Sequence, residues 1–219
     1  MAFRWAKKNL DYSDLISEAA AAVFMVVIIN GYVSLAGIRT QYYQIILIDI
    51  GACLAWGIID GLTYAVGSSV DRGMQTDLVR KIQSEKNSEV AIDDIVGEFD
   101  GTYLSNLTET DKKSIAVEVL KKKPLIHNSK PKFITTEERK GFLSIIGIYF
   151  VAGILLTFPY FILPDKFQAW ISSNLLGIGW LFFYGYNAAK ITGSRRILIG
   201  LLTSSIGILF LILSILANG

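Results

Sequence analysis

Cysteine, histidine and proline are nearly absent from this chain. Among 219 residues there are one cysteine, one histidine and four prolines. With Cys53 alone, no intramolecular disulfide can form. A zinc or copper site built from thiolates and imidazoles lacks its ligands. His127 lies in a loop rich in lysine and proline and reads as exposed. There is no Walker loop, no G-x-S-x-G and no H-E-x-x-H, so no motif supports an ATP-driven pump or a membrane protease. The chain is not expected to be an enzyme, and no nucleic-acid partner is expected. Charge is scarce as well: 18% of residues are Asp, Glu, Lys or Arg, against about 25% in soluble domains.

Apolar residues make up 52% of the chain and gather in long runs. A bilayer core needs about 20 consecutive apolar residues. Five runs approach that length: 19–37, 43–68, 142–163, 168–189 and 197–217. None contains Lys or Arg. The expected fold is an all-α polytopic membrane protein. It has five transmembrane helices and a small cytoplasmic helical domain inserted between the second and third. The expected divisions are 1–68 (lead and helices 1–2), 69–141 (cytoplasmic domain) and 142–219 (helices 3–5).

Placement of the basic residues orients the chain. Of 21 Lys and Arg, three precede the first run, thirteen lie between Arg72 and Lys140, and three (Lys190, Arg195, Arg196) join the fourth and fifth runs. Only Arg39 and Lys166 fall in the other loops. Basic residues accumulate on the cytoplasmic side. The N-terminus is therefore expected inside and the C-terminus outside, in a cell membrane of prokaryotic type. Trp5 and Tyr12 suit the interface, and no cleavable signal is read at the start.

Residues 69–141 are different material, with 13 basic and 13 acidic residues. Ser88 is read as capping a helix with Ile92, Ile95, Val96, Phe99 and Tyr103 on one stripe. Thr108 with Asp111 reads as the start of a second, carrying Ile115, Val119 and Leu120. Thr135 with Glu138 begins the third span. Span two has no stop signal at its inner end, so its helix is expected to continue through Leu78, Val79 and Ile82. Pro159 is expected to kink span three and Pro164 to stop it. Glycines 177, 179, 185, 200 and 207 are expected to let spans four and five approach closely.

The candidate chemistry lies in carboxylates. Asp49, Asp60 and Asp71 are 11 residues apart. Eleven steps drift by only about 20°, so they share one side of span two at intervals of about 16 Å. The stripe between them holds Cys53, Trp56, Tyr64 and Gly67. A charge in hydrocarbon costs about 2.5–3.5 kcal/mol or more, and such residues usually face a bundle interior or a pathway. Asp60, Asp49 and Tyr64 are thus candidates for a proton or cation path. The alternative is that each aspartate is neutral or paired with a neighbouring helix. Asp14, Glu18 and Met25 form a second stripe at i, i+4 and i+11 on span one. A hard-to-borderline divalent cation such as Fe²⁺ or Mn²⁺ accepts carboxylates, with a thioether as a softer addition. Acidic residues at a helix N-terminus are also simply favourable to the dipole. The pairs Glu89/Asp93 and Asp94/Glu98 read as a solvated face.

Several stretches resemble the vacuolar iron transporter family, which includes nodulin-like and related prokaryotic proteins. "GFLSIIGIYFVAGILLTFPYFIL" looks like the family's third span. "LFFYGYNAAKITGSRRILIGLLTSSIGILFLILSILANG" looks like its fourth and fifth, and "EFDGTYLSNLTETDKKSIAVEVLKKKP" like its cytoplasmic helix pair. The resemblance implies a homodimer that exports Fe²⁺, and often Mn²⁺, in exchange for protons, with spans one and two lining the path. It also implies that Glu118 is a metal-gathering glutamate. Two departures stand out. Ala20, Ala21 and Ala22 occupy the place of the family's Asn-Asp-Gly, with Glu18 one turn away as a replacement. "IDGLTY" stands where the family has Met-Gly-x-Gly-Glu-Tyr, leaving Asp60 near the Met.

The metal ligands expected are therefore Asp60, Glu18, Asp49, Asp14, Met25 and Glu118. No tightly bound cofactor is expected; the divalent ion is cargo. The expected partners are the bilayer, a second copy and divalent ions. The competing reading is a non-transporting relative that senses an ion or binds a partner.

Overall fold

The computed structural model describes residues 9–35, 41–84, 87–122 and 133–216. Readings at Trp5, Arg39, His127, Pro124 and Pro131 lie outside these residues. All regular structure within them is helical. The elements are α1 (Tyr12–Leu35), α2 (Tyr42–Ser84), α3 (Ser88–Gly97), a 3-10 turn (Tyr103–Asn106), α4 (Glu109–Lys122), α5 (Thr136–Thr157), α6 (Pro159–Ile162), α7 (Lys166–Thr192) and α8 (Arg196–Leu216). The chain divides into two compact units, Met1–Ala65 with Thr136–Gly219, and Val66–Thr135. Helix α2 contributes to both.

Four segments are long and apolar enough to cross a membrane: Tyr12–Tyr32, Tyr43–Ile82, Thr136–Thr157 and Arg196–Leu213. They mark the chain as an integral membrane protein. Helix α7 has the length, at 27 residues, but not the apolarity. It carries Gln168, Ser172, Ser173, Asn174 and Asn187, of which Ser173 and Asn174 are buried.

In the first unit, α1 packs against α5, α7 and α8. Ala22, Val23, Val26 and Val27 meet Ile145, Ile148, Tyr149 and Leu181 in one apolar core. Lipid offers no hydrophobic drive for helices to associate, so close fit must supply the attraction, and small residues permit it. A Cβ on Gly177 would lie 2.7 Å from Val27 Cγ2. One on Gly185 would lie 2.7 Å from the Ile199 carbonyl oxygen and would also meet Thr203 Oγ1. The same device joins α2 to α5. A Cβ on Gly57 would sit 3.1 Å from Ile146 Cα, and one on Gly61 3.0 Å from the Phe142 carbonyl. Gly179, by contrast, faces open space.

Prolines punctuate as expected. α5 ends at Thr157, Pro159 opens α6, and Pro164 lies between α6 and α7. The break interrupts the backbone ladder, and Ser173 Oγ reaches across from α7 to donate to the Leu156 carbonyl at 2.7 Å. Backbone polar groups at membrane depth need such a partner. Asp165 caps α7 by accepting from Gln168 N at 2.8 Å. Gly193 ends α7 with φ +71°, a left-handed conformation that suits glycine.

The second unit is built on the far part of α2, which continues without interruption to Ser84. Ile82, Ala91, Ile95, Phe99 and Ala116 form its core, with Leu78, Ile92, Val96, Ile115 and Leu120 around them. Thr108 caps α4: its Oγ1 accepts from Asp111 N at 3.2 Å and donates to Asp111 Oδ2 at 2.7 Å. Three local expectations are corrected. Asn87, not Ser88, caps α3, because its carbonyl Oδ1 accepts from Glu89 N at 3.0 Å. Tyr103 leaves the apolar stripe and is 97% exposed, because the 3-10 turn changes the helical phase. Val119 stands partly in solvent rather than in the core.

Overpacking a tight helix crossing costs about 1–3 kcal/mol. Gly185→Ala is accordingly expected to lower the melting temperature of the detergent-purified protein, because the added methyl meets backbone. Gly179→Ala, with open space around it, should leave the melting temperature unchanged or raise it. A thermal melt of both variants checks this.

Candidate functional site

Residues 45, 49, 53, 57, 61 and 65 of α2 are all buried, at a spacing of four. This is the face α2 turns to α5. Its contacts run antiparallel: Tyr64 against Gly141, Gly61 against Phe142, Gly57 against Tyr149, and Cys53 against Gly153. Ile45 clusters with Tyr160. Because Gly57 and Gly61 have no side chains, α5 comes close enough for the Tyr149 hydroxyl to donate to Asp60 Oδ2.

Asp60 therefore sits at the edge of this face, half-buried. Its partner across the bundle is Glu18 of α1, which lies within electrostatic reach of both Asp60 and Asp14. Tyr149 feels Asp60 and Glu18 together. Asp14, Glu18, Asp60 and the Tyr149 hydroxyl thus form one acidic neighbourhood near the start of α1. No Lys or Arg occurs in α1, nor in α2 before Arg72. Like charges at this separation repel unless a proton or a cation joins them.

A second polar neighbourhood lies towards the other end of α1. Asn30 is fully buried. Its Nδ2 donates to Ser173 Oγ at 2.7 Å, its Oδ1 accepts from the Tyr160 hydroxyl at 2.9 Å, and its backbone carbonyl accepts from Trp170 Nε1 at 2.8 Å. Asn30 is thereby tied to α6 and α7. By the α2–α5 register, Asp49 falls opposite Leu156 and Thr157, at the break. Asp49 is 0% exposed, and neither carboxyl oxygen has a hydrogen-bond partner among the described residues. Cys53 and Tyr160 lie within its electrostatic reach.

The remaining expected site residues are distributed as follows. Tyr64 is half-buried, its ring over Gly141. Met25 packs against the apolar core beside Phe24. Glu118 belongs to the second unit, where it is exposed and pairs with Lys121 at 2.9 Å. Asp94 pairs with Lys81 at 2.9 Å and Asp93 approaches Lys113 at 3.9 Å, so this acidic face is met by lysines. Trp56, Gly67 and Asp71 are exposed and do not share the buried face with Asp49. The buried seam advances four residues, about 40°, at each step, so it winds away from a stripe that repeats every 11 residues. Among the described residues, no group of three or more His, Cys, Asp or Glu is placed to hold a metal ion.

Sequence reasoning passed over Tyr149, whose hydroxyl donates to Asp60, and placed Asn30 deep on span one without its partners Tyr160, Trp170 and Ser173. A hydroxyl- or amide-bearing residue inside an apolar run was the available signal. No protein-family model matches the chain, and no curated protein matches it in sequence.

An unpaired buried carboxyl group is a structural liability. Asp49→Asn keeps the volume and removes the ionisable group. The variant is expected to melt at or above the wild-type temperature in detergent. A clear drop would mean that Asp49 is satisfied by a partner in the folded protein.

Proposed function

We propose that the protein is a secondary transporter that carries a divalent cation, Fe²⁺ or Mn²⁺, out of the cytoplasm in exchange for protons. One observation carries this reading: Glu18 of α1 and Asp60 of α2 lie within electrostatic reach of each other, and no Lys or Arg occurs in α1 or in α2 before Arg72. Two carboxylates carry a charge that one divalent cation balances. Two protons balance it equally well. Exchange of one for the other leaves the site neutral in both states, which suits passage through a low-dielectric interior. Carboxylate oxygens suit both Mn²⁺ and Fe²⁺. The Tyr149 hydroxyl holds Asp60 in place through either state.

The resemblance to the vacuolar iron transporter family supports the same reading. In this proposal α7 is the fifth crossing, its polar residues turned inward, and the N-terminus and the Val66–Thr135 unit are cytoplasmic. Asp49 and Asp14 stand towards the two mouths, and two copies associate in the cell membrane. A second reading, a non-transporting relative that senses an ion or binds a partner, is favoured by the small number of ligating groups that come together.

Reconstituted proteoliposomes separate the two. Wild-type protein should take up Mn²⁺ or Fe²⁺ with a counterflow of protons. Asp60→Asn and Glu18→Gln should each lower the rate at least about tenfold, since a lost charge-assisted ligand is worth roughly 1.5–3 kcal/mol. Uptake no faster than in empty vesicles would favour the second reading. Equal uptake by wild type and both variants would remove the pair from the path.

A further inference from the structure

Lys190, Arg195 and Arg196 gather where α7 turns into α8, and no Asp or Glu occurs anywhere after Asp165. Among the described residues neither arginine makes an ion pair. Beside them lies a shallow recess of about 560 Å³, lined by Tyr186, Arg195, Arg196, Ile197, Leu198 and Leu201. Its lining joins two arginines and a tyrosine to three exposed aliphatic side chains: Ile197 at 66%, Leu198 at 49% and Leu201 at 53%. Arg196 is the first residue of a segment apolar enough to cross a membrane, and Ile197, Leu198 and Leu201 follow it within that segment.

From this juxtaposition we propose that the α7–α8 turn binds an anionic phospholipid. The headgroup phosphate rests on Arg195 and Arg196 beside Tyr186, and an acyl chain follows Ile197, Leu198 and Leu201. Arginine presents paired donors that match a phosphate, and basic side chains at a membrane surface attract anionic lipid. A soluble anion would use only the basic end. The apolar continuation of the same recess therefore selects a lipid. The left-handed Gly193 ends α7 two residues before Arg195, and Arg196 opens α8, so both arginines lie at the turn. This proposal is independent of whether the protein transports a cation.

The test uses purified full-length protein in a neutral detergent, with lipid binding measured by native mass spectrometry. Phosphatidylglycerol should bind at least tenfold more tightly than phosphatidylcholine. Each basic side chain near an anionic surface is worth about fivefold, so Arg195→Gln with Arg196→Gln should weaken phosphatidylglycerol binding roughly thirtyfold. Leu198→Ser with Leu201→Ser should also weaken it, though both arginines remain. Lys121→Gln with Lys122→Gln, on α4, should change nothing. The proposal is overturned by equal binding of the two lipids, by full binding to the double arginine variant, or by an equal loss in the α4 variant. Binding of inorganic phosphate as tight as that of phosphatidylglycerol would also overturn it, because the acyl contact would then contribute nothing.

Discussion

The approach of α2 to α5 through bare glycine positions is the constraint on which the first unit depends. Gly57 and Gly61 leave no side chain between the helices, and Gly141 and Gly153 do the same from the opposite side. This spacing brings the Tyr149 hydroxyl to Asp60. It also buries Cys53 and Asp49 completely. Larger residues on that seam would separate the helices and leave an acidic group in hydrocarbon without a donor. Packing in lipid is usually described as a matter of attraction between helices. In this bundle it equally decides which polar groups meet.

The polar groups fall into two sets with opposite bookkeeping. Around Asn30, donors and acceptors match: the amide joins Ser173 and Tyr160, and Ser173 in turn satisfies the carbonyl released at the break before Pro159. This set behaves as a fixed joint between α1, α6 and α7. Around Glu18 and Asp60, by contrast, the acidic groups outnumber the hydrogen-bond donors that reach them among the described residues. Asp49 lies close to the matched set yet takes no hydrogen bond from it among the described residues.

Much of this architecture was legible in the residues. Four of the five apolar runs coincide with helices long and apolar enough to cross a membrane, Pro159 and Pro164 found the break, and Thr108 with Asp111 found the start of α4. The absence of any stop after Ser69 foretold the long α2. Other features were hidden for physical reasons. Helix α7 falls short of the apolarity of the other long helices, and two of its polar side chains, Ser173 and Asn174, are buried in the first unit. The α2 stripe was read as one face, but whether a position on it is covered depends on α5. Trp56 and Gly67 thus emerged outside while Cys53 went in. The contact of Tyr149 with Asp60 spans 89 residues, and no local periodicity reports a partner that distant.

Cys53 has a consequence of a different kind. It is the sole thiol in the chain, and its sulfur is wholly enclosed between α2 and Gly153 of α5. Water-borne maleimides therefore meet a protein that is silent in its natural form. A cysteine introduced at a single position reports on its own surroundings with no background to subtract. The molecule comes ready for accessibility mapping, residue by residue, without first having a native side chain removed from its interior.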